Sequence, residues 1–267
     1  MRSGVHQSLA SFALLCTAGV CAIAALARPA FAEVNADEAA DYENRIEFGF
    51  LSQDAKALRE LVKSLDALAG EDDSDARAHY LAAHANYRLG QVLNETRKSG
   101  ADDAAKECVD QLAALTRRES KDAEAFIQKA ACHALIAATS VIKSVTHGPS
   151  AGETIAIALH LAPKNPRAHL VDALVDYWRP AKLGGGRVRA FAKFKGAATA
   201  FEAVPAGTSE FPSWGAADVY YWLGKSYAER KEIAEARSAL EQALILAPDF
   251  AAARRELSRL AARSSGQ

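Results

Sequence analysis

The stretch that decides the fold runs from residue 217 to residue 250 and reads ADVYYWLGKSYAERKEIAEARSALEQALILAPDF. In its first half, Tyr220, Leu223 and Tyr227 stand at i, i+3 and i+7, which places them on one face of a helix. Apolar residues of the second half recur at i, i+3, i+4, i+7 and i+8, at Ala236, Ala239, Leu240, Ala243 and Leu244. The stretch therefore predicts two short amphipathic helices that pack together.

A polar turn at residues 229–232 separates the two predicted helices, and Pro248 follows the second helix and stops it. Gly224 has no side chain at the point where the second helix must come close. The stretch resembles a tetratricopeptide repeat (TPR) at almost every signature position, which here are Tyr220, Leu223, Gly224, Tyr227, Ala236, Leu240 and Pro248. Tyr220 and Leu240 replace the Trp and Phe usual in that family. The resemblance implies a protein-interaction scaffold but does not name its partner.

The beginning of this unit recurs along the chain as a four-residue pattern, with a small or apolar residue at the first and third positions and an aromatic residue or His at the fourth. The pattern stands at residues 76–79, 123–126, 166–169 and 217–220, and more weakly at 251–254. A small residue follows four positions after each, at Ala83, Ala130, Ala173, Gly224 and Ser258. We therefore expect an all-α fold, a right-handed superhelical stack of antiparallel helix hairpins (a TPR-like solenoid) with ten or eleven helices.

Only the last complete unit has the standard TPR length, so the others must carry extra residues. The sequence places these in a polar loop around Gly100, in a first helix extended to Lys143, and in loops at residues 184–186 and 205–209. Residues 38–51 and 54–68 predict a further degenerate hairpin upstream. We expect one TPR-like domain over residues 33–267, with 217–250 as its clearest repeat and 251–262 as a helix that covers the last apolar face.

The N-terminus indicates the compartment. Residues 1–32 combine Arg2, an uncharged apolar run over residues 9–27 and a small-x-small cleavage site at Ala30 and Ala32. This pattern predicts a secretory signal peptide, with an uncleaved membrane anchor as the alternative. We expect a periplasmic or secreted protein of a Gram-negative bacterium that does not span the membrane after cleavage.

Composition and motifs exclude several classes of function. Removal of Arg2 and Arg28 from the 32 basic residues leaves 30 against 33 acidic ones, a formal charge of −3, which argues against a nucleic-acid binder. The sequence has no H-E-x-x-H or C-x-x-C motif, and the spacing of its His and acidic residues picks out no catalytic or metal site. We expect no enzyme activity, no metal and no cofactor.

Two cysteines, Cys108 and Cys132, remain in the chain that follows the predicted signal peptide. Each lies twelve residues from Ser120, so an antiparallel hairpin about that turn brings them to the same height. A disulfide is one expectation, because the predicted compartment is oxidising. Two small buried thiols that merely pack are the other.

The segment from Tyr177 to Phe201 carries cations without one acidic residue. A glycine run at 184–186 before a helix start exposes backbone N–H groups, so an anion could sit there. The candidate binding residues are Tyr177, Trp178, Arg179, Lys182, Arg187, Arg189, Lys193 and Lys195. The alternative is an ordinary loop followed by an amphipathic helix with solvated cations.

Three functions remain open at this point. The first is an adaptor that binds a protein or peptide partner in the concave groove of the solenoid, with an acidic partner as one option. The second is a small-ligand binder associated with a transporter, which would use the groove near Tyr177 and Trp178. The third is an enzyme acting on the cell wall, which is disfavoured because no set of catalytic residues can be picked out from the sequence.

Overall fold

The computed structural model describes residues 33–71, 74–117, 120–205 and 211–265, so the signal peptide predicted for residues 1–32 lies outside the described residues. The described ranges contain no β-strand. Their α-helices are α1 (Ala36–Leu51), α2 (Ala55–Glu71), α3 (Ala76–Glu95), α4 (Ala101–Gln111), α5 (Ala113–Arg117), α6 (Ala123–Thr139), α7 (Val141–Leu161), α8 (Pro166–Trp178), α9 (Arg187–Glu202), α10 (Ala216–Glu229), α11 (Ile233–Leu246) and α12 (Ala251–Ser265). A 3₁₀ helix spans Ala181–Leu183 between α8 and α9.

The helices pack as consecutive antiparallel hairpins. The pairs are α1 with α2, α3 with α4, α6 with α7, α8 with α9, and α10 with α11, and α12 packs on α11. Each hairpin also contacts the next one along the chain, as expected when every repeat buries its apolar face against a neighbour. The predicted all-α, TPR-like solenoid is confirmed.

Polar turns between hairpins cap the first helix of the next unit. Asp75, Asp122 and Asn165 are the N-caps of α3, α6 and α8. In each case the side-chain oxygen accepts hydrogen bonds from the backbone N–H groups two and three residues further on. Such caps satisfy donors that have no partner inside the helix, and they fix where each repeat begins.

The crossing of α10 and α11 depends on Gly224. A Cβ atom at this position would lie 2.5 Å from Leu240 Cγ and 3.2 Å from the carbonyl oxygen of Ala236. Any larger side chain would therefore push the two helices apart. Gly196 in α9 differs, because a Cβ atom there would meet nothing within 4 Å.

The structure corrects two details of the sequence-based expectation. The described residues form twelve α-helices rather than ten or eleven, because a short helix, α5, follows α4 after a break at Leu112. The extra length of the second TPR-like unit belongs to its second helix, not to a first helix reaching Lys143. Ser140 has extended backbone angles and accepts a hydrogen bond from Lys143 N, so α6 ends at Thr139 and α7 begins at Val141.

A disulfide joins α4 to α6. Cys108 and Cys132 are both fully buried, and their Cα atoms are 6.1 Å apart. The bond links two successive hairpins in the middle of the solenoid, where α4 packs against α6.

Candidate functional site

The two ends of the solenoid meet across its concave face through Arg88 of α3. Its guanidinium donates from Nη1 to Asp218 Oδ1 at 2.7 Å and from Nη2 to Asp218 Oδ2 at 3.1 Å, although 130 residues separate the two. The same group donates to both carboxylate oxygens of Glu47 in α1, at 2.7 and 2.8 Å. Arg88 thus ties α1, α3 and α10 together, and its side chain is 0% exposed.

Glu47 also contacts a buried imidazole. His84 Nε2 lies 2.7 Å from Glu47 Oε1, and His84 Nδ1 lies 3.0 Å from Gln128 Oε1 in α6. Burial alone would raise the pKa of Glu47, but the charge of Arg88 and the hydrogen bonds from His84 and Arg88 outweigh it and lower the pKa to about 2. The carboxylate is therefore held ionised inside the protein.

The segment before α10 fills the concave face at this end. Trp214 is buried and donates from Nε1 to Tyr80 Oη at 3.0 Å, and its ring stacks on His84 at 5.5 Å. Ser213 donates from its backbone N–H and its hydroxyl to the carboxylate of Glu43, at 2.8 and 3.0 Å. One end of the concave face is thus closed by the chain itself.

Further contacts join α1 and α3 to the part of the chain from α10 to α12. The hydroxyl of Tyr221 in α10 donates to Glu95 Oε1 of α3 at 2.7 Å. Arg255 of α12 lies 3.9 Å from Glu95 Oε2. Phe50 of α1 packs on Phe250 with ring centroids 5.5 Å apart. Because the ends are joined in this way, the groove between them is not open along its whole length.

A pocket of about 190 Å³ remains on the concave side, between the C-terminal halves of α3, α6, α8 and α10. Its apolar lining comes from Tyr87, Ala131, Ala134, Leu135, Leu174, Trp178 and Trp222. Its polar lining is Gln91, Asn94, Glu95 and Lys225. A mostly apolar and aromatic hollow with a few convergent polar groups is the usual form of a ligand site, so this pocket is our candidate functional site.

The polar groups of the pocket differ in whether the protein already satisfies them. Gln91 accepts from Arg88 Nη1 at 2.8 Å and donates to Tyr87 Oη at 3.1 Å. Glu95 accepts from Tyr221 and, through Oε2, from Gln53 Nε2 at 3.0 Å. Lys225 instead points its ammonium at the Trp222 ring, 4.4 Å from the centroid.

The candidate residues of the basic segment are divided between this pocket and the surface beside it. Trp178 lines the pocket. Tyr177 is buried and donates to Glu229 Oε1 at 2.7 Å. Arg187 lies over the Tyr177 ring, 3.4 Å from its centroid, and its Nη1 is 3.2 Å from the same Glu229 oxygen. The tyrosine and the arginine therefore do not line this pocket, but together with Trp178 and Arg179 they line a second hollow of about 490 Å³.

Carboxylates of α8 neutralise two other candidate cations. Lys193 Nζ lies 2.8 Å from Asp172 Oδ1 and 2.7 Å from Asp176 Oδ2. Arg189 Nε lies 3.3 Å from that same Asp176 oxygen. Asp176 is only 2% exposed, so these pairs hold α9 against α8. The carboxylate partners of Arg189 and Lys193 are thus on α8 rather than on α9 itself.

The remaining three cations have different surroundings. Arg179 donates from Nη2 to the carbonyl oxygen of Gly148 in α7 at 2.8 Å. Lys182 is exposed on the 3₁₀ helix. Lys195 is exposed on α9, with its Nζ 5.8 Å from the Phe191 ring centroid.

The glycine run at 184–186 uses its N–H groups within the chain. Gly184 N donates to Ala181 O at 3.0 Å, Gly185 N to Pro180 O at 3.3 Å and Gly186 N to Asp176 O at 2.7 Å. None of these three donors is available to an anion. The geometry thus favours an ordinary loop with paired and solvated cations over the anion site considered from the sequence.

The described part of the chain offers neither a metal site nor a membrane span. It contains no group of three or more His, Cys, Asp or Glu side chains placed to hold a metal ion. None of its helices combines the length and the apolar character that crossing a membrane requires.

Sequence reasoning missed Arg88, Asp218, Trp222 and Lys225, which form the closure and the pocket. Periodicity identified the apolar face that α10 turns toward α11, but Tyr221 and Trp222 are buried on its other side. A usable signal existed, because apolar residues at 219 and 221–223 make α10 apolar on more than one face, as expected of a helix buried on several sides.

Comparisons with known proteins agree with this fold. The tetratricopeptide repeat family matches residues 217–250. The structure is similar to a thermophilic TPR protein of Thermus thermophilus, with 15% identity, 82% of this chain and 98% of that chain covered, and a TM-score of 0.54. It is also similar to the HusA haemophore of Porphyromonas gingivalis, with 20% identity, 72% and 93% coverage, and a TM-score of 0.55.

No curated protein sequence matches the chain. At 15% and 20% identity, the two structural likenesses show the fold alone. Folds of the TPR type are generally protein-interaction scaffolds without catalytic activity. The chain therefore has a TPR-like fold, with a recognisable tetratricopeptide repeat at residues 217–250.

Proposed function

We propose that this protein is a periplasmic, non-catalytic scaffold that binds a protein or peptide partner on its concave side, with one partner side chain held in the pocket. The observation that carries the proposal is the pocket itself. It opens between four first helices of the repeats and presents Trp178 and Trp222 around a floor of Ala131 and Ala134. Deep pockets that take an aromatic or aliphatic anchor supply most of the affinity at interfaces of this kind.

The proposed compartment has two supports. Residues 1–32 have the charge, apolar run and cleavage site of a secretory signal peptide. The Cys108–Cys132 disulfide is of a kind that persists in oxidising compartments such as the periplasm. Both fit a mature protein that begins near residue 33.

The proposal is tested by filling the pocket. Protein 33–267 carrying Ala134→Phe would be used as bait in periplasmic extract beside the parent, with captured proteins identified by mass spectrometry. Ala134 lines the pocket, so the new ring should occupy it and abolish capture of the partner. Ala234→Phe is the control, because Ala234 is exposed on α11. Equal capture by both variants, at unchanged melting temperature, would refute the pocket as the partner's site.

A small molecule is the second candidate occupant. The specific observation in its favour is the closure of the solenoid by Arg88 and Glu95, which removes the open groove along which an extended peptide would lie. One protein with a similar fold is a haemophore, so a small ligand is compatible with this architecture. Native mass spectrometry of protein purified from its own periplasm separates the candidates, because a retained small molecule would add a discrete mass to the intact protein.

A further inference from the structure

We propose that the pocket binds a small amphipathic carboxylic acid, with its ring or branched hydrocarbon among the tryptophans and its carboxylate on Lys225 and Asn94. This inference deepens the second candidate above and rests on the pocket being a ligand site. It states which chemical class of ligand the site would select, whereas the fold alone identifies no ligand.

The size of the pocket limits the occupant. An engineered protein cavity of about 150 Å³ holds one benzene molecule. The pocket here measures about 190 Å³, so it has room for one ring and a short substituent. Tyr87, Trp178 and Trp222 supply aromatic walls, and Ala134 and Leu135 supply aliphatic contact. The apolar part of the ligand is thus a single ring or a hydrocarbon of similar size.

The charge of the pocket argues for an anion. Lys225 has no carboxylate within salt-bridge distance among the described residues, and its ammonium rests on the faces of Trp222 and Tyr221, at 4.4 and 5.1 Å. The other charged group in the lining, Glu95, already accepts from Tyr221 and Gln53 and has Arg255 at 3.9 Å. An incoming carboxylate would therefore meet one unneutralised cation and a carboxylate that the protein has already compensated.

Asn94 adds a second recognition group. Its side-chain amide lines the pocket and makes no hydrogen bond within the described part of the chain. Asn94 stands on the same helix as Tyr87 and Gln91, whose polar atoms bond to each other. The amide can donate to a carboxylate oxygen that Lys225 does not engage, which orients the head of the ligand at the mouth and its ring inward.

The test compares three probes of one shape in calorimetric titrations: 3-phenylpropanoate, 3-phenylpropanamide and 3-phenylpropylamine. We expect the carboxylate to bind at least about tenfold more tightly than the neutral amide, the size of one charge-assisted hydrogen bond, and the amine to bind weakest. Lys225→Met keeps the side-chain stem and removes its charge, so it should erase the preference while leaving affinity for the amide unchanged. Lys164→Met, at an exposed turn, is the control and should retain the preference.

The outcomes separate this inference from the proposed function. Amide or amine binding as tightly as the carboxylate would overturn the anionic preference but leave a ligand pocket in place. Tighter binding of an acetylated tetrapeptide ending in a free Phe carboxylate would overturn the small acid and assign the site to a chain terminus. No binding of any probe at millimolar concentration would overturn the inference, while partner capture blocked by Ala134→Phe would still support the scaffold.

Discussion

Arg88 and Asp218 form a bidentate ion pair across the concave face, with Nη1 and Nη2 of the arginine 2.7 and 3.1 Å from the two carboxylate oxygens. Both side chains are buried, and one belongs to the first TPR-like unit whereas the other opens the last. In a solenoid each repeat contacts only its neighbours. This pair is therefore a contact that repeat stacking alone does not make, and it turns the stack into a closed structure.

Glu47 makes the stability of the closed structure depend on pH. Its pKa in the folded protein is about 2, below the ordinary value of 4.5. A lowered pKa means that the ionised group stabilises the fold at pH values above the unfolded pKa, and that this contribution is lost as pH falls from about 4.5 to 2. Glu47→Gln should be less stable than the parent by about 3 kcal/mol at pH 7, because Arg88 loses a buried partner.

Urea unfolding at several pH values measures this effect. The difference in unfolding free energy between parent and Glu47→Gln should shrink steadily as the pH falls below about 4.5, the ordinary pKa of the group. Arg45→Ala is the control, since Arg45 pairs with Asp41 at 3.8 Å in exposed positions and should change stability by less than about 1 kcal/mol. A difference for Glu47→Gln that stays constant throughout this acid range would show that the carboxylate is not held ionised.

Gly224, at the crossing of α10 and α11, can be tested against Gly196 by the same substitution at both positions. Gly224→Ala places a methyl group where Leu240 Cγ would be 2.5 Å away, so we expect a loss of roughly 1–3 kcal/mol from overpacking. Gly196→Ala meets nothing within 4 Å in the middle of α9 and should be neutral or stabilise by up to about 1 kcal/mol. Thermal unfolding of both variants measures the difference in stability between them. A Gly224→Ala protein as stable as Gly196→Ala would mean that α10 and α11 do not approach as closely as described.

The disulfide should contribute measurably to stability. Cys108 and Cys132 are 24 residues apart in sequence, and closing a loop of that length stabilises by roughly 3 kcal/mol in the chain-entropy model. We expect Cys108→Ala with Cys132→Ala, in protein 33–267, to unfold at lower denaturant than the parent. A reducing agent should lower the parent to the level of the double variant and leave the variant itself unchanged. A parent insensitive to reduction would argue that the bond is absent in solution.

Local pattern was enough to predict the hairpins, because each TPR-like unit repeats the same spacing of small residues. Ala130, Ala173 and Gly224 occupy equivalent places, and all are buried. Local pattern could not predict the closure, because Arg88 and Glu47 resemble ordinary polar positions of amphipathic helices until α10 is brought beside them. Nor could local pattern show that cations of the basic segment pair with carboxylates of other helix turns, at Asp172, Asp176 and Glu229.

The most direct test of the closed solenoid is a double-mutant cycle between Arg88 and Asp218. Unfolding free energies would be measured for the parent, Arg88→Met, Asp218→Ala and the double variant. A second cycle on the exposed Arg45 and Asp41 pair would serve as the control. A closed structure predicts a coupling energy of about 1–3 kcal/mol for Arg88 and Asp218, since buried groups in contact are not additive. Additivity within about 0.5 kcal/mol would contradict the closure, and the concave groove would then be open along its length.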